Sequence, residues 1–145
     1  MIEEGLEEHE VRTESATVTG HETILVVEDQ GNVREYAARA LKAYGYRVIS
    51  TASAVEALTI CERGDPRIEM VLSDVVMPQM SGPDLVDRLR TMQPEIKALF
   101  MSGYTENVVI HHGMRGESEQ FIQKPFAPED LARKARELLG RPSGG

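Results

Sequence analysis

The stretch "VLSDVVMPQMSG", residues 71–82, joins a run of apolar residues to a turn rich in Pro and Gly, and one acid, Asp74, stands where the two meet. A carboxylate is costly to bury without a partner. Asp74 is therefore expected either at the open end of a strand or beside a cation, and the rest of the chain decides which.

The stretch belongs to a chain in which short apolar runs alternate with segments of helical spacing. The apolar runs predict strands at residues 23–29, 46–50, 67–74, 96–103 and 119–126. Helices are predicted at residues 31–45, 53–64, 82–92, 105–113 and 127–139, and Ser53 and Gly64 suit the two ends of the second. Strict alternation of this kind predicts an α/β fold with a parallel sheet. Five such units predict a flavodoxin-like doubly wound fold, with strand order 2-1-3-4-5 and helices on both faces.

The ends of the chain differ in composition from its centre. Residues 1–22 carry seven Glu and one Arg, so they hold −6 of the net charge of −8. We expect residues 1–22 to form a flexible acidic leader or linker, residues 23–139 the folded domain, and residues 140–145 a flexible tail.

Composition also excludes several classes of protein. An acidic chain without a basic patch is a poor candidate for direct nucleic-acid binding. The sequence has no apolar run near the roughly 20 residues of a membrane span, so we expect no membrane contact and a cytoplasmic location. One cysteine, Cys61, cannot form an internal disulfide.

Polar residues interrupt the apolar strands at one edge of the predicted sheet. Glu28 and Asp29 end the first strand, Asp74 the third, Ser102 the fourth and Lys124 the fifth. Ligands of open parallel sheets bind beyond the carboxyl ends of the strands, where the strand order reverses. These five side chains are therefore expected to meet in one site.

The chemistry of this set points to phosphoryl transfer. Three neighbouring carboxylates repel one another unless a cation intervenes, and Mg²⁺ commonly binds one or two carboxylates together with phosphate oxygens. Lys124 supplies a positive charge for a phosphoryl oxygen, and Ser102 supplies a hydroxyl donor. Since an Asp can act as a nucleophile and form an aspartyl-phosphate, Asp74 is the predicted phosphoacceptor.

Four segments carry a resemblance to a known family: "ILVVED" (24–29), "VLSDVVMPQMSG" (71–82), "ALFMSGY" (98–104) and "FIQKPF" (121–126). With them, residues 23–139 resemble a receiver domain of the two-component response-regulator superfamily. Among these, the C-terminal receiver of hybrid sensor histidine kinases is the most similar. The resemblance implies a signalling phosphoacceptor, not an enzyme, that switches conformation to control a partner.

The resemblance also implies a role for each site residue. Asp74 would accept a phosphoryl group from a histidine kinase or a histidine phosphotransfer protein. Asp29 and Asp74 would bind Mg²⁺ directly, Glu28 would act through water, and the backbone carbonyl of Val76 would complete the protein ligands. Lys124 would pair with the phosphoryl oxygens.

Further expectations from the resemblance concern switching. Ser102 would move to the phosphoryl group, and Phe121 would follow it inward as the switch aromatic. The Lys124–Pro125 bond is usually cis in the family. A homodimer could form through the face made by the predicted helix 105–113, the fifth strand and the final helix.

Two alternatives use similar residues. A haloacid-dehalogenase-like phosphatase also has an Asp nucleophile, Mg²⁺, a hydroxyl residue and a lysine, but it needs a second Asp two residues after the nucleophile, where this chain has Val76. A pseudo-receiver, which is a binding module independent of phosphorylation, would use the same fold. The intact acid pair, Asp74, Ser102 and Lys124 argue against that reading.

Overall fold

A computed structural model describes residues 19–103 and 120–140, and within them five parallel strands form one sheet. The strands are β1 (Thr23–Val27), β2 (Arg47–Thr51), β3 (Met70–Asp74), β4 (Lys97–Ser102) and β5 (Gln120–Gln123). Their order in the sheet is β2-β1-β3-β4-β5, which confirms the predicted doubly wound fold. The chain order reverses between β1 and β3, so the predicted crevice lies above this pair.

Four helices pack with these strands within the described residues. They are α1 (Gly31–Ala43), α2 (Ala54–Arg63), α3 (Gly82–Met92) and α4 (Pro128–Leu139). The Ser53 side chain accepts a hydrogen bond from the backbone N–H of Glu56, and Gly64 ends α2 with a left-handed φ of 75°, as the sequence predicted. The predicted helix 105–113 lies outside the described residues. None of the four described helices has the length and apolar character that crossing a membrane requires.

Helices cover both faces of the sheet. Neighbouring residues of each central strand point to opposite faces, so each of these strands packs against helices on both sides. In β1, Ile24 and Val26 pack with α1 and α4, whereas Leu25 and Val27 pack with α2 and α3. All five residues of β1 and all five of β3 are buried, as expected for strands covered on both faces. The continuous apolar runs of the sequence follow from this arrangement.

The strand register brings the polar strand ends together. Val27 lies beside Ser73, Asp74 beside Met101, and Ser102 beside Gln123. Glu28 and Asp29, which the sequence placed within the first strand, follow β1 at the same edge. The register therefore places the acids at the carboxyl edge of the sheet.

Candidate functional site

An ion pair links the ends of the third and fifth strands. The Nζ atom of Lys124 lies 3.0 Å from Oδ1 of Asp74 and 3.5 Å from Oε1 of Glu28. Glu28 is fully buried and Asp74 is 6% exposed, so both carboxylates are largely removed from water. One lysine thus faces two buried acids, and charge attraction between them is stronger than it would be in water.

The predicted acids converge as the sequence indicated. One carboxylate oxygen each from Glu28, Asp29 and Asp74 lies within 4.8 Å of the other two. Asp29 is exposed, so the cluster opens to solvent on its side. The negative charge of the three carboxylates exceeds the positive charge of the neighbouring lysine. Such a set of hard oxygen ligands suits a divalent cation such as Mg²⁺. The residues present therefore fit the expected metal.

The surroundings of Glu28 explain its electrostatics. Burial raises the pKa of the Glu28 carboxyl, and the negative charge of Asp74 raises it further. The backbone N–H of Gln30 donates to Oε2 of Glu28 at 3.1 Å, and this contact and Lys124 lower the pKa only in part. Burial and the neighbouring negative charge of Asp74 both disfavour the ionised form of Glu28, so a cation at this position would favour it.

Two residues near the acids were given no role in the site from the sequence. Nη1 of Arg34, in the first turn of α1, donates to the backbone carbonyl of Glu28 at 2.8 Å. Gln30 directly precedes α1 and supplies the N–H that reaches the Glu28 side chain. The signals in the sequence were the place of Gln30 directly after the acid pair and the place of Arg34 in the first turn of the following helix. Together they hold the turn that carries Glu28 and Asp29.

The predicted switch residues lie on the fourth and fifth strands. Ser102 is fully buried at the end of β4, and its carbonyl accepts a hydrogen bond of 2.8 Å from the backbone N–H of Lys124. Phe121 is partly buried, with its ring centroid 5.7 Å from that of Phe100. The Lys124–Pro125 bond is cis, in agreement with the resemblance. The switching roles of Ser102 and Phe121 stay predictions.

Val76 lies in the loop that follows Asp74, before α3 begins, and its side chain is 53% exposed. Its assignment as a carbonyl ligand stays a prediction.

Ser73, which the sequence analysis did not select, is fully buried next to Asp74. A polar residue inside an apolar strand, directly before the candidate nucleophile, was the available signal.

Comparison with known proteins decides the family. The sequence profile of the response regulator receiver domain matches residues 24–136. The chain belongs to this family. The receiver domain is also 42% identical over 131 residues to the sensor kinase CckA of Brucella abortus, covering 90% of this chain and 14% of the kinase. It is 32% identical to a probable transcriptional regulator, ycf27, of Porphyridium aerugineum, covering 83% of this chain and 49% of the regulator.

Solved structures agree with the fold of this receiver domain. The receiver domain of the hybrid histidine kinase CckA is 33% identical, with a TM-score of 0.68, and the match covers 81% of this chain and 99% of that one. The chemotaxis protein CheY4 of Vibrio cholerae is 26% identical, with a TM-score of 0.72, and the match covers 82% and 99% of the two chains. The predicted similarity to hybrid-kinase receivers is confirmed. The receiver domain spans 14% of the curated kinase and about half of the regulators that it matches.

Proposed function

We propose that this receiver domain is the phosphoacceptor of a two-component system and that Asp74 takes a phosphoryl group from a phosphohistidine. The donor would be a histidine kinase or a histidine phosphotransfer protein. The observation that carries the proposal is the 3.0 Å contact of Lys124 with the Asp74 carboxylate, beside two further acids. Membership in the receiver family supports the same role.

The proposed transfer is a displacement at phosphorus. A carboxylate oxygen of Asp74 attacks the phosphorus, the P–N bond to the histidine breaks, and its electron pair stays on the ring nitrogen. Lys124, which already lies at the carboxylate, would pair with the phosphoryl oxygens as negative charge moves onto Asp74. The Ser102 hydroxyl would donate to the same group.

Mg²⁺ is the proposed cofactor, held directly by Asp29 and Asp74, through water by Glu28, and by the backbone carbonyl of Val76. Three carboxylate oxygens within 4.8 Å of one another support this assignment. When bound, the ion supplies positive charge to the phosphoryl oxygens.

The proposed output is a conformational change. Phosphorylation would draw Ser102 toward the phosphoryl group and turn Phe121 inward, shifting a two-state equilibrium that controls partner affinity. The contact between the Phe100 and Phe121 rings supports a coupling of β4 to β5. We further propose a cytoplasmic location, and a homodimer interface that includes β5 and α4.

Phosphorylation with a small donor tests the proposal. The protein is incubated with acetyl phosphate and Mg²⁺, and the position of any added phosphoryl mass is mapped by mass spectrometry. We expect label on Asp74, loss of label in Asp74→Asn, and normal label in Asp84→Asn. Asp84 is a suitable control because it is an exposed acid in the first turn of α3.

A different outcome would identify a pseudo-receiver. Wild type without label on Asp74, behaving like Asp74→Asn, would contradict the phosphoacceptor role and favour a pseudo-receiver. Label on another acid would reassign the phosphoacceptor.

A further inference from the structure

The peptide that follows the phosphoacceptor is held by a buried hydroxyl. Oγ of Ser73 donates to the backbone carbonyl of Asp74 at 2.9 Å and lies 3.9 Å from the sulfur of Met77. Ser73 is fully buried. Neighbouring side chains of a strand point to opposite faces, so Ser73 restrains the backbone of Asp74 from the face opposite its carboxylate.

The first residue of α3 holds the next peptide along the chain, between Val75 and Val76. The backbone N–H of Gly82 donates to the carbonyl of Val75 at 2.8 Å. A Cβ added at Gly82 would overlap the Asp74 carbonyl oxygen and lie 3.1 Å from the Phe100 ring. Only glycine therefore lets α3 begin this close to Asp74 without a shift of the backbone.

We propose that Ser73 and Gly82 are positioning residues for the phosphoacceptor. Ser73 holds the Asp74–Val75 peptide and Gly82 holds the Val75–Val76 peptide. Together they fix the direction of the Asp74 carboxylate and the start of the loop that carries the Val76 carbonyl. Neither residue contacts the reacting atoms. This inference rests on the proposed function, and it adds two residues that the acid cluster does not include.

Gly82→Ala tests the close approach of α3 to the Asp74 carbonyl, and Gly31→Ala is its matched control. Both glycines are the first residue of a helix at the carboxyl edge of the sheet, but a Cβ at Gly31 would meet only Nη2 of Arg34, at 3.5 Å. We measure the Mg²⁺ dissociation constant by calorimetry and the rate of phosphorylation by acetyl phosphate at saturating Mg²⁺. For Gly82→Ala we expect Mg²⁺ binding about tenfold weaker and a lower rate at saturation, as for other residues that orient metal ligands. Gly31→Ala should match wild type in both quantities.

Ser73→Ala and Ser73→Thr test the hydroxyl. Ser73→Ala should weaken Mg²⁺ binding and lower the saturated rate, whereas Ser73→Thr, which keeps the hydroxyl on a residue suited to strands, should restore both. Thermal unfolding by circular dichroism identifies any variant that does not fold. If Gly82→Ala does not fold, the comparison of the two Ser73 variants decides the question.

The outcomes separate this inference from the proposed function. If wild type binds Mg²⁺ and is labelled on Asp74, and the folded Ser73→Ala and Gly82→Ala variants match it, the positioning role is overturned while the phosphoacceptor role stands. If Ser73→Thr behaves like Ser73→Ala, the hydroxyl has no positioning role. If wild type neither binds Mg²⁺ nor is labelled, both proposals are overturned.

Discussion

The carboxyl and amino edges of the sheet each contain a group of charged residues that is largely buried, but their charges are arranged differently. At the carboxyl edge, three acids lie together and one lysine contacts two of them. At the amino edge, Glu22, Tyr46 and Arg136, here called the junction cluster, combine one acid with one cation. The first group therefore has an excess of negative charge, and the second has none.

Within the junction cluster, the Arg136 guanidinium has several charged and polar hydrogen-bond partners. Arg136 is 7% exposed, and its guanidinium donates to both carboxylate oxygens of Glu22, at 2.8 and 3.2 Å. It also donates to the Tyr46 hydroxyl at 3.2 Å and to the backbone carbonyls of Thr19 and Gly140, at 3.0 and 2.7 Å. One side chain thus connects the segment before β1, the start of β2 and the end of α4.

The pKa values of the two glutamates differ in the same way. Burial by itself raises the pKa of Glu22, but the hydrogen bonds and charge of Arg136 outweigh it, so the pKa lies below its usual value. Burial raises the pKa of Glu28, and the charge of Asp74 adds to it. In the balanced buried pair each charge is compensated by its partner, whereas the acid excess leaves unfavourable charge that a bound cation would relieve.

Loss of the Arg136 guanidinium should destabilise the protein more than any other change considered below. Arg136→Met leaves the Glu22 carboxylate without its partner and should lower the free energy of unfolding by about 3 kcal/mol. Urea denaturation measures this change. Arg133→Met is the control, because Arg133 pairs with Asp130 at 3.1 Å with both side chains 54% exposed, and its effect should stay below about 0.5 kcal/mol. Equal losses in the two variants would contradict the role given to the junction cluster.

The second effect depends on pH. Glu22→Gln should cost about 2 kcal/mol at pH 7, because it removes the charge that Arg136 faces. Since the folded pKa of Glu22 lies below that of the unfolded chain, wild type keeps this advantage above the unfolded value of 4.5 and loses it as the pH falls through the folded pKa. Urea denaturation of both proteins from pH 7 downward checks the sign. An advantage that vanished well above pH 4.5 would contradict the lowered pKa.

A change of opposite sign is expected at the carboxyl edge. Without Mg²⁺, Asp74→Asn should raise the free energy of unfolding by about 1 kcal/mol, because it removes a carboxylate that repels Glu28 while Lys124 stays near Glu28. Thermal and urea unfolding in the presence of a chelator measure the change. Destabilisation of the size expected for Arg136→Met would show that the acid excess is not unfavourable.

The smallest effect separates the hydroxyl of Tyr46 from its ring. Tyr46→Phe keeps the ring, whose centroid lies 5.9 Å from the Arg136 guanidinium carbon, but removes one acceptor, and should cost about 0.5 kcal/mol. Tyr36→Phe is the control. The Tyr36 hydroxyl donates to the backbone carbonyl of Phe126 at the exposed surface, so loss of this hydroxyl should have a smaller effect on stability. A larger loss of stability for Tyr36→Phe than for Tyr46→Phe would contradict the greater contribution assigned to the Tyr46–Arg136 hydrogen bond.

The carboxyl edge was predictable from sequence, and the junction cluster was not. Glu28, Asp74 and Lys124 each stand where an apolar strand ends, and parallel strands bring such positions to one edge. Arg136 lies within a helix, where a charged residue is normally expected on the solvent side. It is buried because residues 19–22, which composition assigned to the acidic leader, lie against it.

Local periodicity and chain order were sufficient to predict the order of strands and helices, the caps of α2 and the set of residues at the carboxyl edge. Tertiary structure alone decided that Arg136 is buried, that Gly82 lies against Asp74 and that the Ser73 hydroxyl reaches the Asp74 carbonyl. The burial of Arg136 and the approach of Gly82 depend on how separate segments pack. The Ser73 contact depends on a side-chain orientation that the buried strand selects, and no pattern along the chain records it.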